Sequence, residues 1–219
     1  MARTFLKVAA LVALASICQA VPTFDAKAYM DGILEEMSVQ ARRQDLDPVP
    51  AHNFQVHLEA TGTKPHVVAR FHEGSFEGLG SISTAGRCNF ARVNTEGTKM
   101  QRVWCYVSLA NIKLTMRAFV EEIMGRELGT ITAETQTGPE VLGLIEIEKL
   151  NGKVSVRVID PPDFDLTTKI VQGELPVDSH RYADFERQVD QEVSEQLSHF
   201  LKNAYTRLLT TVVERSDSS

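Results

Sequence analysis

The 219-residue chain has little of what enzymes, nucleic-acid binders and membrane proteins are usually built from. It contains no Gly-x-Ser-x-Gly, no His-Glu-x-x-His and no glycine loop that could cradle a phosphate, which removes the commonest hydrolase, zinc-protease and nucleotide sites. Its basic residues never run longer than Arg42-Arg43, and Asp plus Glu (29) outnumber Lys plus Arg (23) for a net charge of −6. Binding to nucleic acid relies on clustered cations, so no nucleic-acid partner is expected. Beyond residue 20 no stretch approaches the ~20 uninterrupted apolar residues that a membrane span needs, so no stable membrane insertion is expected. No Asn-x-Ser/Thr sequon and no internal repeat occur, which argues against N-glycosylation and against a solenoid.

Cysteine is scarce as well: there are three, and Cys18 lies in the first twenty residues. There Arg3 and Lys7 precede an apolar run over residues 8–17, and Cys18-Gln19-Ala20 offers small residues for cleavage. Residues 1–20 therefore read as a secretory signal peptide, and the protein as secreted and extracellular. Removal of the signal takes two positive charges and no negative one, and leaves Cys88 and Cys105 in an oxidising compartment. Strand-like runs over 87–93 and 100–109 flank the turn-rich Asn94-Thr95-Glu96-Gly97-Thr98. A hairpin centred between Glu96 and Gly97 places Cys88 directly opposite Cys105. The expected disulfide closes a short loop and contributes about 3 kcal/mol on the chain-entropy model. With no Cys-x-x-Cys, a redox role is not indicated.

Periodicity supplies the rest. Residues 181–214 form an amphipathic stretch without Gly or Pro, with apolar positions spaced by three or four from Tyr182 to Val213. As a helix it is roughly 50 Å long, whereas a sphere of about 200 residues is roughly 42 Å across. The helix must project, or the body must be elongated along it. The apolar stripe widens to two residues per turn after Phe200, which favours envelopment over a narrow coiled-coil seam. A shorter helix over 25–43 presents Tyr29, Met30, Ile33, Met37 and Ala41 on one face. Between the helices, Asn151-Gly152 marks a two-residue hairpin turn that sets Ile147 against Val156, Ile145 against Val158 and Glu146 against Arg157. Ile112, Leu114 and Met116 alternate with polar residues, residues 54–59 and 67–71 read as strands, and Gly74, Gly78 and Gly80 mark a bend or bulge.

The fold class is therefore α+β: a curved antiparallel sheet of six to eight strands wrapped around a long C-terminal amphipathic helix, a super-roll, with a shorter N-terminal helix. Residues 21–214 read as one elongated domain and 215–219 as a disordered tail. If packing inside the roll is incomplete, the tube takes a hydrophobic small molecule or lipid. Its candidate wall is Val193, Leu197, Phe200, Ala204 and Leu208 from the helix, with Ile112, Leu114, Met116, Val154, Val156 and Val158 from the strands. For each of these, ordinary core is the competing reading.

The helix ending in Asp47-Pro48-Val49-Pro50-Ala51-His52, the long run of alternating strands, the Asn151-Gly152 hairpin and the terminal amphipathic helix resemble the group 7 mite allergen family over most of the chain. The resemblance implies an arthropod secreted protein. It also implies a fold similar to half of the bactericidal/permeability-increasing and juvenile-hormone-binding proteins, able to hold a lipid-like ligand. One departure is that the mite members lack a cysteine pair at the places of Cys88 and Cys105, which points to a related branch in ticks or other arachnids.

Two competing classes are weighed on residues. For an enzyme, His57, His66 and His72 are close in sequence but sit on two strands, and no carboxylate or cysteine joins them at a metal-ligand interval. Asp45, Asp47, Asp160, Asp163 and Asp165 lie near prolines in turns, where Asp serves the backbone. No catalytic residue, metal or cofactor is assigned. The other class is a secreted surface-interaction or innate-immunity protein with a packed core, anchored through Trp104 or Tyr106. The face of strand 102–110 that carries these two is expected instead to pack on the amino-terminal helix. Oligomeric state is left open.

Overall fold

The structure, a computed structural model, describes residues 24–161 and 163–216. The signal-peptide reading falls outside the described residues, as do residues 217–219 of the expected tail; Arg215 and Ser216, expected in that tail, are helical.

Helix α1, Ala26–Arg43, starts where the Asp25 carboxylate accepts from the backbone N–H groups of Lys27 and Ala28 at 3.0 Å each, satisfying two donors that the first turn leaves open. Ten strands follow: β1 (Val49–Pro50), β2 (Phe54–Leu58), β3 (Val67–Glu77), β4 (Ser83–Thr95), β5 (Thr98–Ser108), β6 (Lys113–Glu122), β7 (Glu127–Thr137), β8 (Leu142–Leu150), β9 (Lys153–Ile159) and β10 (Leu166–Gln172). The expected single sheet of six to eight strands is two, one of six strands with the path β1-β3-β6-β7-β10 plus β2 on β3, the other of four in the order β4-β5-β8-β9. The undercount comes from β1, β7 and β10: β1 is only two residues long, Thr, Glu and Gln dominate β7, and in β10 Leu166 is followed by Thr-Thr-Lys, so apolar alternation does not announce them.

The two orders have one origin. β3 leads into β4, β5 into β6, β7 into β8 and β9 into β10, so four double-length strands meander side by side and each creases midway. Backbone groups at the crease are satisfied by few side chains. Asp47 accepts from Gly78 N (2.9 Å) and Gly80 N (2.7 Å), while the Thr137 hydroxyl donates to Leu109 O (2.7 Å) and accepts from Ile112 N (3.1 Å). Gly78, at φ 92°, must be glycine: a Cβ there would lie 2.5 Å from Asn111 O. The bend expected near Gly74 is a bulge: His72 pairs with Arg117 and Ser75 with Thr115, and Glu73 sits at φ 53°.

The hairpin registers agree with expectation. Cys88 faces Cys105 with Cα atoms 4.4 Å apart and the two are disulfide-bonded. Ile147 faces Val156, Ile145 faces Val158 and Glu146 faces Arg157. The Asn151-Gly152 turn has positive φ at both residues (50° and 85°), as a type I′ turn requires.

The long helix is one rod in three parts: α2 (Ser179–Phe200), a π-helical turn Leu201–Tyr205, and α3 (Thr206–Ser216). α2 packs against β2 and β10, the margins of the six-stranded sheet, whereas α3 and α1 pack on each other and on the four-stranded sheet. The π turn falls where the helix passes from one sheet to the other, and its extra residue re-aims the buried stripe. That stripe is one residue wide in α2 (Phe185, Val189, Val193, Leu197) and two wide in α3 (Leu208, Leu209, Val212, Val213), because α3 is enclosed by a sheet and a second helix. The curved sheet wrapping a long helix is the expected super-roll, creased at its middle.

Candidate functional site

The candidate wall residues occupy two different places. Ile112, Leu114, Met116, Val156, Val158, Val193, Leu197 and Leu208 are buried in the hydrophobic core, each packed against its neighbours. Val154, Phe200 and Ala204 instead reach clefts that open to the surface.

The larger cleft, about 260 Å³, runs along the crease. Its apolar lining is Leu46, Val49, Pro50, Phe76, Phe200 and Ala204, and its rim carries His52, Gln196, His199, Asn203 and Arg207. The chain builds it in three steps. Leaving α1, it passes Asp47, whose carboxylate is tied to the turn at Gly78 and Gly80; it then pairs Val49 with Phe76 and Pro50 with Ser75. The start of the π turn supplies the opposite wall. Gln196 fixes the spacing, since its side-chain amide both accepts from His52 N (2.9 Å) and donates to His52 O (3.1 Å). No carboxylate lines this groove.

Eight residues back on the same helix face, Gln188 repeats the device on His57, accepting from its N–H at 3.2 Å and donating to its carbonyl at 2.8 Å. The two glutamines thus saturate backbone groups of β2 and of the segment leading into it, and fasten α2 along that margin. On the other margin the Thr168 hydroxyl donates to Asp190 Oδ1 (2.6 Å) and also bonds Thr135 (2.6 Å). Burial raises the Asp190 carboxyl above the ordinary Asp range, outweighing the Thr168 hydrogen bond, and the Asp163 charge adds to the rise. Burial and the Asp190 charge raise Glu186 as well. Below the crease, burial pushes Asp160 up, but hydrogen bonds from Lys202 and Ser198 outweigh it and hold the carboxyl low. Arg181 closes the far end: it is 4% exposed, and its guanidinium donates to Leu58 O (3.0 Å) and Pro65 O (2.9 Å).

The smaller cleft, about 60 Å³, lies at the free end of the four-stranded sheet, lined by Phe24, Tyr29, Phe90, Val103, Ile147 and Val154 among others. Of these, sequence reasoning had only Val154 as a wall residue. The missing signal was the pairing of β5 with β8, which sets Val103 opposite Ile147 and so joins the two hairpins into one apolar face. No local pattern announces a pairing between segments that far apart.

Other expectations resolve plainly. His57 Nδ1 and His66 Nε2 are 3.3 Å apart, but His72 stacks on Phe119 with ring centroids 4.6 Å apart, and among the described residues no cluster of three His, Cys, Asp or Glu could hold a metal. Trp104 and Tyr106 do not face α1, which is a correction. α1 covers the opposite face, where Tyr29 shares a cleft with Val103. Trp104 is half-buried on the outer side with the Arg102 guanidinium 5.4 Å from its ring centre, and Tyr106 is 53% exposed.

No family model and no curated protein matches the chain. Among solved structures it is similar to lipopolysaccharide binding protein, at 12% identity and a TM-score of 0.38 over 85% of this chain, and spans only 39% of that protein. It is also similar to Takeout 1 of Epiphyas postvittana, at 10% identity and a TM-score of 0.39, over 89% of this chain and 93% of that one. At those scores neither likeness carries an argument; the architecture rests on the strand order and helix placement described above.

Proposed function

We propose that the protein is a secreted, noncatalytic binder or carrier of hydrophobic or lipid-like ligands, of the group 7 allergen type, and that the crease groove is where it holds them. One observation carries this reading: at the crease an apolar floor of six residues opens to the surface under a polar rim, while the surrounding interior is filled by its own side chains. Apolar lining with a few placed polar groups is the general character of a small-molecule site. Secretion fits the disulfide.

Native mass spectrometry of the purified protein, followed by solvent extraction, tests the proposal. A stoichiometric apolar species is expected. Phe200→Glu places a carboxylate in the groove and lowers uptake of added monopalmitin by roughly tenfold or more. A clean protein mass, with no uptake of added fatty acid, monoglyceride or sterol, overturns the carrier reading and favours a surface-interaction protein with a packed core.

A further inference from the structure

Two histidines that take no part in the crease groove meet on the outer face of the six-stranded sheet. β2 alternates buried and exposed residues with His57 outward, and it pairs His57 with Val68, so His57 lies diagonally across from His66, which directly precedes β3. A diagonal cross-strand pair is within reach of long side chains. Here the rings close the gap: His57 Nδ1 and His66 Nε2 are 3.3 Å apart, with the ring planes at 86°. As a hydrogen bond that is long. Two imidazole nitrogens on one tetrahedral zinc ion, each about 2.0–2.1 Å from it, are roughly 3.3–3.4 Å apart. The right angle of a square-planar copper site would bring them to roughly 2.8–3.0 Å at the same bond lengths. The separation in this protein is the tetrahedral one.

The surroundings hold both rings for that role. Glu59 Oε2 lies 3.5 Å from His66 Nδ1, which favours the proton on Nδ1 and leaves the Nε2 lone pair free for a metal. A carboxylate behind a histidine ligand is the usual outer partner in zinc sites. The neighbouring cations are engaged elsewhere, Lys64 with Asp178 at 2.5 Å and Arg181 with the carbonyls of Leu58 and Pro65. The backbone is fixed as well: Gln188 brackets His57, and His66 O accepts from Ile123 N at 3.1 Å. Between them Thr61 and Lys64 exchange backbone hydrogen bonds of 3.2 and 3.0 Å, closing the connecting loop. Both imidazoles stay within reach of solvent, His57 exposed and the His66 side chain 17% exposed. The pair is thus set on rigid elements and open to an ion from outside.

From this we infer a zinc site, separate from the crease groove and independent of the carrier reading: His57 Nδ1 and His66 Nε2 are its two protein ligands, Glu59 its outer carboxylate, and water fills the remaining positions. With two protein donors it is weaker and more exchangeable than a closed four-ligand structural site. The donor chemistry selects the ion, since a pair of neutral imidazoles suits zinc, whereas magnesium and calcium take oxygen ligands. Bound there, zinc clips the 59–66 connection to β2 at the far end of the six-stranded half.

Calorimetric titration of the purified protein with zinc chloride tests the site. One zinc per chain is expected, with no binding heat from magnesium chloride. His57→Ala and His66→Ala should each weaken binding by at least roughly tenfold. Glu59→Gln should weaken it by less, because that carboxylate is 80% exposed. His72→Gln should leave it unchanged, because that ring is stacked on Phe119 instead. A second readout needs no variant: saturating zinc should slow amide exchange over residues 59–66 in the parent protein. No saturable zinc uptake overturns the inference, and so does uptake that neither His57→Ala nor His66→Ala weakens. Unchanged exchange over 59–66 at saturating zinc overturns it as well, whether or not the variants fold.

Discussion

The six-stranded and four-stranded halves of the roll are made from the same four long strands, yet they are closed by different means. In the six-stranded half a single helix is wedged between the sheet margins and held by side-chain hydrogen bonds, through Gln188 and Gln196 on one side and Asp190 with Thr168 on the other. The four-stranded half is covered by two helices packed on each other, stapled by Cys88–Cys105, and left open at its hairpin end. A helix alone cannot satisfy the backbone of an edge strand, so the first half needs polar fasteners. A second helix covers more apolar area, so the second half can leave part of its face for other work.

That contrast can be pressed by substitution. The largest effect is expected in the shared core, where Phe185 and Ile145 are both 0% exposed, one in each half. Phe185→Ala should lose about 3–5 kcal/mol and Ile145→Ala about 2–5 kcal/mol in urea unfolding. If the halves are one cooperative unit, both variants unfold in a single transition; two transitions would show that the crease divides them. Replacing Cys88 and Cys105 together by Ala should cost about 3 kcal/mol. The accompanying rise in hydrogen exchange should be concentrated in β4 and β5 rather than β6 and β7. A uniform rise would mean that the staple serves the whole roll.

The polar fasteners should come next, at about 1–2 kcal/mol for Gln188→Ala with Gln196→Ala. Their clearest signature is local: the amide protons of His52 and His57, which those glutamines accept, should exchange much faster while the β6 amides do not.

The smallest effects distinguish the halves by pH. In the four-stranded half burial pushes Glu146 up, yet the hydrogen bonds from Arg102 and Arg157 prevail and hold its carboxyl low. Its stabilisation is present above the ordinary Glu pKa of 4.5 and is lost as pH falls through the lowered value. Glu146→Gln should therefore be destabilising at neutral pH and nearly neutral in strong acid. Asp190 has the opposite sign, because its carboxyl is raised from 3.8: what it contributes is present below 3.8 and lost as pH climbs through the raised value. Asp190→Asn should gain on the parent protein as pH rises through that window. Parallel pH profiles for the two variants would contradict the opposed shifts.

Much of this was legible beforehand because it is local. Both hairpin registers, the disulfide partners and the buried alternation of Ile112, Leu114 and Met116 each depend on residues a few positions apart, or on a turn that sets register arithmetically. The clefts were less legible. Phe200 and Ala204 were expected as apolar helix positions, but the groove also takes Leu46, Val49 and Phe76 from distant segments. Trp104 was placed against the wrong element because alternation tells which residues share a face, not which helix covers it.

By itself the sequence determined the two helices, most of the strands and the hairpin pairings, since turn chemistry and side-chain alternation act over a handful of residues. Only the tertiary structure decided that the long strands crease together, that the helix changes sheets at a π turn, and that β5 lies beside β8. Each of these is a choice among distant apolar surfaces, and the hydrophobic effect that drives such choices is non-directional. Where the clefts remain is set by what the assembled core leaves unfilled.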